Sequence, residues 1–233
     1  MTLIKTSLLA LSVFLSSCAS TSTTPTTESS TETSIKNITL TAQYVDKNFH
    51  VVSRPDSPSS IQLDMPLIPG ALSGPILTGS MITLKTVIGE QTTIDLSKFE
   101  SNISKYATPL LKTSFNMGMS ITPESAKLVR IGTFAIDPDK NAFLGATGLL
   151  EPEAKDITHL LLVYFDGPAV IEGFRIENGK KVIYHVEAKE KGFLWVEAKP
   201  DGKDLIFVTN RQSNEKAILT IQIEPQTKKK IKA

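Results

Sequence analysis

Leu160-Leu161-Leu162-Val163-Tyr164-Phe165 is a run of six apolar residues with no polar residue between them. A strand with one face in water alternates apolar and polar residues. This one does not, so both of its faces are expected to be covered. Asp166-Gly167-Pro168 turns the chain into a strand at Ala169–Glu177. Asn178-Gly179, the strongest short hairpin signal in the sequence, leads into Lys181–Ala188. Glu190-Lys191-Gly192 precedes Phe193–Ala198, Pro200-Asp201-Gly202 precedes Asp204–Thr209, and Ala217–Ile223 completes the set. The C-terminal part therefore reads as a meander of antiparallel strands.

Upstream the same pattern continues with interruptions. Ile38, Leu40, Ala42 and Tyr44 alternate with polar residues, and Asp46-Lys47-Asn48 turns the chain into Phe49–Val52. Residues 54–79 carry Pro55, Pro58, Pro66, Pro69 and Pro75, which predicts a long irregular connection with one short strand at Ile61–Leu63. Met81–Ile88 is a strand, and Gly89-Glu90 suits a hairpin turn into Thr92–Leu96. One helix is expected near residues 97–117. Ser97 and Glu100 match a capping box, and Phe99, Ile103, Tyr106 and Leu110 fall on one stripe, with Pro109 interrupting and Gly118 closing. The fold class predicted is mainly β, an antiparallel β-sandwich or a curled half-barrel, with that helix over one face.

The chain has 233 residues, 40% of them hydrophobic, with 25 Lys+Arg, 24 Asp+Glu and one Cys. The near balance of charge excludes a protein that coats nucleic acid, and one Cys excludes an internal disulfide or a cysteine-rich zinc site. That Cys is residue 18. Before it come Lys5, the apolar run Leu8–Leu15 and the small residues Ser16 and Ser17, an order that reads as a secretory signal.

Leu15-Ser16-Ser17-Cys18 resembles the lipobox of bacterial lipoproteins. The resemblance covers the targeting segment alone. It implies removal of residues 1–17, a diacylglyceryl thioether on Cys18 and an acylated amino terminus. Ala19 in place of Asp is similar to the outer-membrane sorting pattern of enterobacterial lipoproteins. Residues 18–35 then form a tether: 12 of the 16 residues from Ala19 to Ser34 are Ser or Thr, too polar to bury. Such a coil spans roughly 20–25 Å. Residues 36–225 form a single β-rich domain, and 226–233 a tail with Lys228, Lys229, Lys230 and Lys232. Without Lys5, the two tether glutamates and the four tail lysines, 20 basic and 22 acidic residues remain. The neutral total conceals a mildly acidic body and a basic tail.

Motifs for chemistry are sparse. His50, His159 and His185 have no paired spacing, and the sequence lacks a Gly-rich phosphate loop and Gly-x-Ser-x-Gly. Ser213–Lys216 matches Ser-x-x-Lys in a loop context. Asp137-Pro138-Asp139-Lys140-Asn141 opens like a calcium loop but has Ala142 at the sixth position and Gly148 at the twelfth, so it reads as a turn. No metal site and no cofactor is predicted. The one candidate binding pair is Phe193 and Trp195, which share a strand face by i, i+2 spacing and, if exposed, would stack on a sugar or anchor a protein. These readings point to a non-catalytic lipoprotein of the outer membrane. It would be held by its N-terminal lipid, facing the periplasm rather than the cell surface, with a protein or glycan partner and no nucleic acid. A surface-displayed adhesin is the alternative, and an anchored hydrolase with the 54–79 loop over a pocket is a further one.

Overall fold

Residues 34–72, 80–111, 118–152, 157–177, 179–209 and 216–222 are described by the computed structural model. In chain order they form β1 (Asn37–Val45), β2 (Ser60–Pro69), β3 (Ser80–Val87), β4 (Gln91–Asp95), α1 (Ser97–Ile103), β5 (Thr108–Pro109) and β6 (Met119–Thr122). There follow β7 (Lys127–Ile131), β8 (Phe134–Asp137), β9 (Ala142–Leu150), β10 (His159–Phe165), β11 (Ala169–Glu177), β12 (Lys180–Ala188), β13 (Gly192–Asp201), β14 (Asp204–Thr209) and β15 (Lys216–Gln222). The protein is mainly β. Its strands make one large mixed sheet, in the order β4-β1-β15-β9-β8-β2-β7-β10-β13-β14-β12-β11-β6, with β3 added to β2 and β5 to β7. The sheet does not close into a barrel. Cys18, the tether up to residue 33, Ser213 and the lysine tail lie outside the described residues.

The apolar run sits in β10, and its two faces serve two cores. Leu160, Leu162 and Tyr164 enter a first cluster with residues of β1, β2, β9, β13 and β15. Val163 and Phe165 enter a second with residues of β11, β12 and β14. Strand β13 divides in the same way, with Phe193 and Trp195 in the first cluster and Val196 and Ala198 in the second. Each large side chain so buried contributes about 1.5–3 kcal/mol, which is why this stretch tolerates no polar residue.

Several expectations need correction. The C-terminal strands are not a simple meander, because β12 pairs with β14 in parallel. Hairpins β11–β12 and β13–β14 lie side by side, and β13 itself is the crossover that brings β14 back in the direction of β12. A second parallel pair joins β1 to β15. The predicted irregular connection contains the ten-residue strand β2, which runs through Pro66. The proline's missing donor is accommodated at a register shift between Met65 and Pro66. Gly89-Glu90 does make a tight turn, with the Glu90 N–H donating to the Val87 carbonyl at 3.2 Å. The strands it joins separate, β3 to β2 and β4 to β1.

The helix is shorter than predicted. Ser97–Ile103 is α-helical, a 3-10 turn covers Ser104–Tyr106, and Thr108–Pro109 is extended against β7. A residue before proline is pushed out of helical conformation, and the chain is already extended at Ala107, ahead of Thr108-Pro109. The helix start also lacks the predicted box: Asp95 Oδ1 accepts from the Ser97 N–H at 3.1 Å and from the Ser97 hydroxyl. Leu96 and Ile103 are buried in the first core, with Phe99 packed against it. The fold begins before residue 36. Ile35 is 6% exposed, and its N–H donates to the Phe193 carbonyl at 2.9 Å.

Candidate functional site

The predicted binding pair is not at the surface. Phe193 and Trp195 are 2% and 1% exposed, and the Phe193 ring lies 5.1 Å from that of Tyr164. Strand β13 is inside the sheet between β10 and β14, with a core on either face, so neither ring is presented to a sugar or a protein. The histidines stay apart. His50 Nδ1 lies 3.4 Å from Asp46, His185 Nδ1 lies 3.4 Å from Glu172, and His159 meets the Phe49 ring edge to face at 5.4 Å. Among the described residues no three His, Cys, Asp or Glu side chains gather as a metal site. Asp137 makes a turn: its Oδ1 accepts the N–H groups of Asp139 and Lys140, and its Oδ2 lies 3.2 Å from the Lys140 ammonium.

An apolar surface does exist on the other hairpin of the same sheet. On the outward face of β11 stand Glu172, Phe174 and Ile176, with Phe174 52% and Ile176 64% exposed. The register carries the row across neighbouring strands. Phe174 is opposite Ile183 on β12, which is opposite Ile206 on β14, which is opposite Lys199 on β13. The next row is Glu172, His185, Val208 and Glu197. Residues paired in register project to one side, so Phe174, Ile176, Ile183, Ile206 and Val208 form a continuous apolar strip. Ile183, Ile206 and Val208 are half-buried.

Charged side chains border the strip. The Lys181 ammonium lies 4.5 Å from the centre of the Phe174 ring, and Lys199 Nζ lies 3.1 Å from Glu197. The Lys181 N–H donates to Asp204 Oδ1 at 3.1 Å, which ties the start of β12 to that of β14. On their inner face these strands are firmly held. Ile171, Val182, Tyr184, Val186 and Phe207 are buried in the second core, with Tyr184 stacked on Phe207 at 5.0 Å. Immediately before Phe174, Gly173 has φ +130°, and an ideal Cβ there would sit 2.0 Å from the Gly118 carbonyl oxygen. Only glycine allows β6 and β11 to approach this closely. The outcome is an apolar strip with a polar border, its reverse side packed into the second core.

The sequence held a trace of this face. Phe174 and Ile176 have the same i, i+2 spacing as Phe193 and Trp195, but spacing does not say which pair another layer covers. Comparison with protein-family models, with curated proteins and with solved structures finds no match for this chain. No helix among the described residues is long and apolar enough to cross a membrane.

Proposed function

We propose that this chain is a lipid-anchored outer-membrane protein without catalytic activity, whose β domain binds a protein partner on the periplasmic side. The observation that carries the reading is the open strip of β11, β12 and β14. The lipobox at Cys18 and the Ser/Thr-rich tether support the address. A protein fits the strip better than a glycan. Sugar rings stack on aromatic faces, and this strip has one aromatic ring among four aliphatic side chains.

The position of the strip supports the same partner. The chain joins the domain at Ser34, whose hydroxyl accepts from the Phe193 N–H at 3.2 Å. That point is the beginning of β13, whereas Lys199 and Asp201, level with the Phe174 and Ile176 rows, are near its end. A strand of this length spans about 30 Å. The Phe174 and Ile176 rows of the strip therefore lie toward the end of β13 away from Ser34, clear of the first residues of the fold.

Two measurements test the two halves of the reading. A photo-crosslinking residue at Ile176 is expected to give a discrete protein adduct in cells that the same residue at Lys85, on β3, does not give. Adducts of equal yield at both positions, or none at Ile176, would overturn the partner face. Cys18→Ala is expected to move the protein from the membrane fraction to the soluble one. Retention would overturn the anchor and leave the face untouched. Antibody access on intact cells would move the protein to the outer surface.

A further inference from the structure

The apolar strip on β11, β12 and β14 runs obliquely across its three strands. From Ile176 it passes through Phe174 and Ile183 to Ile206 and Val208. Strand spacing and rise make it about 16 Å long, with Ile183 at its middle. Its two flanks differ in charge. Lys181 and Lys199 border one of them, with Asp204 beside Lys181 and Asp201 beyond. Glu172 and His185 border the other.

Resting on the partner face proposed above, we infer that its occupant is a second copy of this chain, docked strip to strip about a two-fold axis. A surface that pairs with itself in this way must be self-complementary. An axis laid along the strip through Ile183 exchanges the two flanks. Lys199 of each copy then comes to Glu172 of the other, and Lys181 to the other's Phe174 ring. Asp201 falls over Ser120, which is opposite Glu172 on β6. Glu187 and Glu197 fall at the rim of the Val208 end, where solvent screens them. Other axes do worse. One along the strands sets Glu172 over Val208 and Ile176 over Asp204, and one across them sets Ile176 over Glu172. Both press carboxylates onto aliphatic side chains. With the oblique axis the strands of the two copies cross at about 70°, near the orthogonal class of sheet packing.

Lys199 and Glu172 already make surface pairs within the chain, to Glu197 at 3.1 Å and to His185 at 3.4 Å. Such pairs contribute little in water, and the contacts across the axis add to them. The apolar strip supplies the affinity, and the charges choose the axis. The face is four strands wide and three rows deep, roughly 20 Å each way. That size belongs with the smaller, reversible interfaces. The axis also suits an anchored chain. Ser34 meets β13 at Phe193, which precedes Glu197, and Glu197 is level with Val208. The first residues of both copies therefore lie beyond the Val208 end of the axis, where two tethers can reach one membrane.

Sedimentation of the full chain carrying Cys18→Ala, over a range of concentrations, tests the dimer. A reversible monomer–dimer equilibrium is expected. Lys199→Glu alone and Glu172→Lys alone each bring like charges together across the axis, and each should raise the dissociation constant about tenfold or more. An equimolar mixture of the two variants should recover the dimer, because each altered charge then meets its opposite in the other copy. A monomer at every concentration, reversals without effect, or a mixture no better than its components would overturn the second copy as occupant. If a variant does not fold, a photo-crosslinking residue at Ile183, on the axis, decides the matter in the otherwise unaltered chain. An adduct of twice the chain's mass is expected, and its absence overturns the dimer. A monomer that still gives an adduct at Ile176 with a different protein would leave the partner face standing. A monomer with no adduct at Ile176 would overturn the face as well.

Discussion

Phe193 and Trp195 on β13 and Phe174 and Ile176 on β11 project from the same side of one sheet, and their fates are opposite. The first pair is 1–2% exposed beneath the layer built from β1, β2, β9 and β15; the second is more than half exposed. Both pairs have i, i+2 spacing, and both lie on strands whose reverse face enters the second core. What differs is the reach of the covering layer, which extends over β10 and β13 and not over β11 and β12. Exposure of an apolar pair on a sheet is thus a property of the neighbouring layer. A strip left uncovered on an otherwise well-packed domain is the place to look for a partner.

The comparison breaks first, and most expensively, on its covered side. Trp195→Ala removes the largest fully buried side chain and should cost about 3–5 kcal/mol, read as a lower urea midpoint at unchanged slope. A cost below about 1 kcal/mol would mean that the covering layer is not packed against β13 as described. Next in size is Gly173→Val. It brings a branched side chain to φ +130° against the Gly118 carbonyl, and an unfavourable backbone of this kind costs about 1–3 kcal/mol. Because Gly173 precedes Phe174, the same change should also weaken partner crosslinking at Ile176. Unchanged stability would show that β6 and β11 separate readily.

On the open side the effects on stability shrink while those on binding grow. Phe174→Ser combined with Ile176→Ser should alter unfolding free energy by no more than about 1 kcal/mol, the scale of surface substitutions. A photo-crosslinking residue placed at the neighbouring His185, opposite Glu172, should give the partner adduct in the otherwise unaltered chain and lose it in this double variant. A large loss of stability with the crosslink retained would assign these side chains to the fold.

Particular residues show what was legible in advance. Leu160–Phe165 announced a strand covered on both faces because no polar residue interrupts it, and Asn178-Gly179 announced a hairpin, whose two strands pair as far as Glu177 and Lys180. The parallel pairs were hidden. Whether β14 lies beside β12 or β11 depends on how two finished hairpins dock, and no local residue encodes that choice. Pro66 was misleading because a proline at a register shift forfeits no ladder bond, and its carbonyl still accepts from the Gly132 N–H at 2.8 Å. Pro109 acted oppositely, sitting in an extended stretch where the apolar stripe suggested a continuing helix. The stripe itself divides: Ile103 is in the first core, Leu110 packs against the second, and Tyr106 is 40% exposed.

The smallest effect is a dependence on pH. His159 begins β10, a strand with a core on each face, and burial holds its pKa below the usual 6.5; His185, on β12, lies 3.4 Å from Glu172. A group whose folded pKa is depressed binds its proton more readily in the unfolded chain. Stability is therefore full above pH 6.5 and falls as the pH drops below it toward the folded value. Asp46 and Asp95, with pKa values lowered by the His50 N–H and by the Ser97 hydroxyl respectively, act in a different window. Their contributions persist above the ordinary carboxylate value and are lost below about pH 4. Urea midpoints measured from pH 7.5 to 3.5 should thus decline in two steps. His159→Gln should flatten the step below pH 6.5 and leave the acid step. If His159→Gln leaves the first step in place, the imidazole is not the group being protonated, and the packing of β10 at its first residue is looser than that of the six that follow.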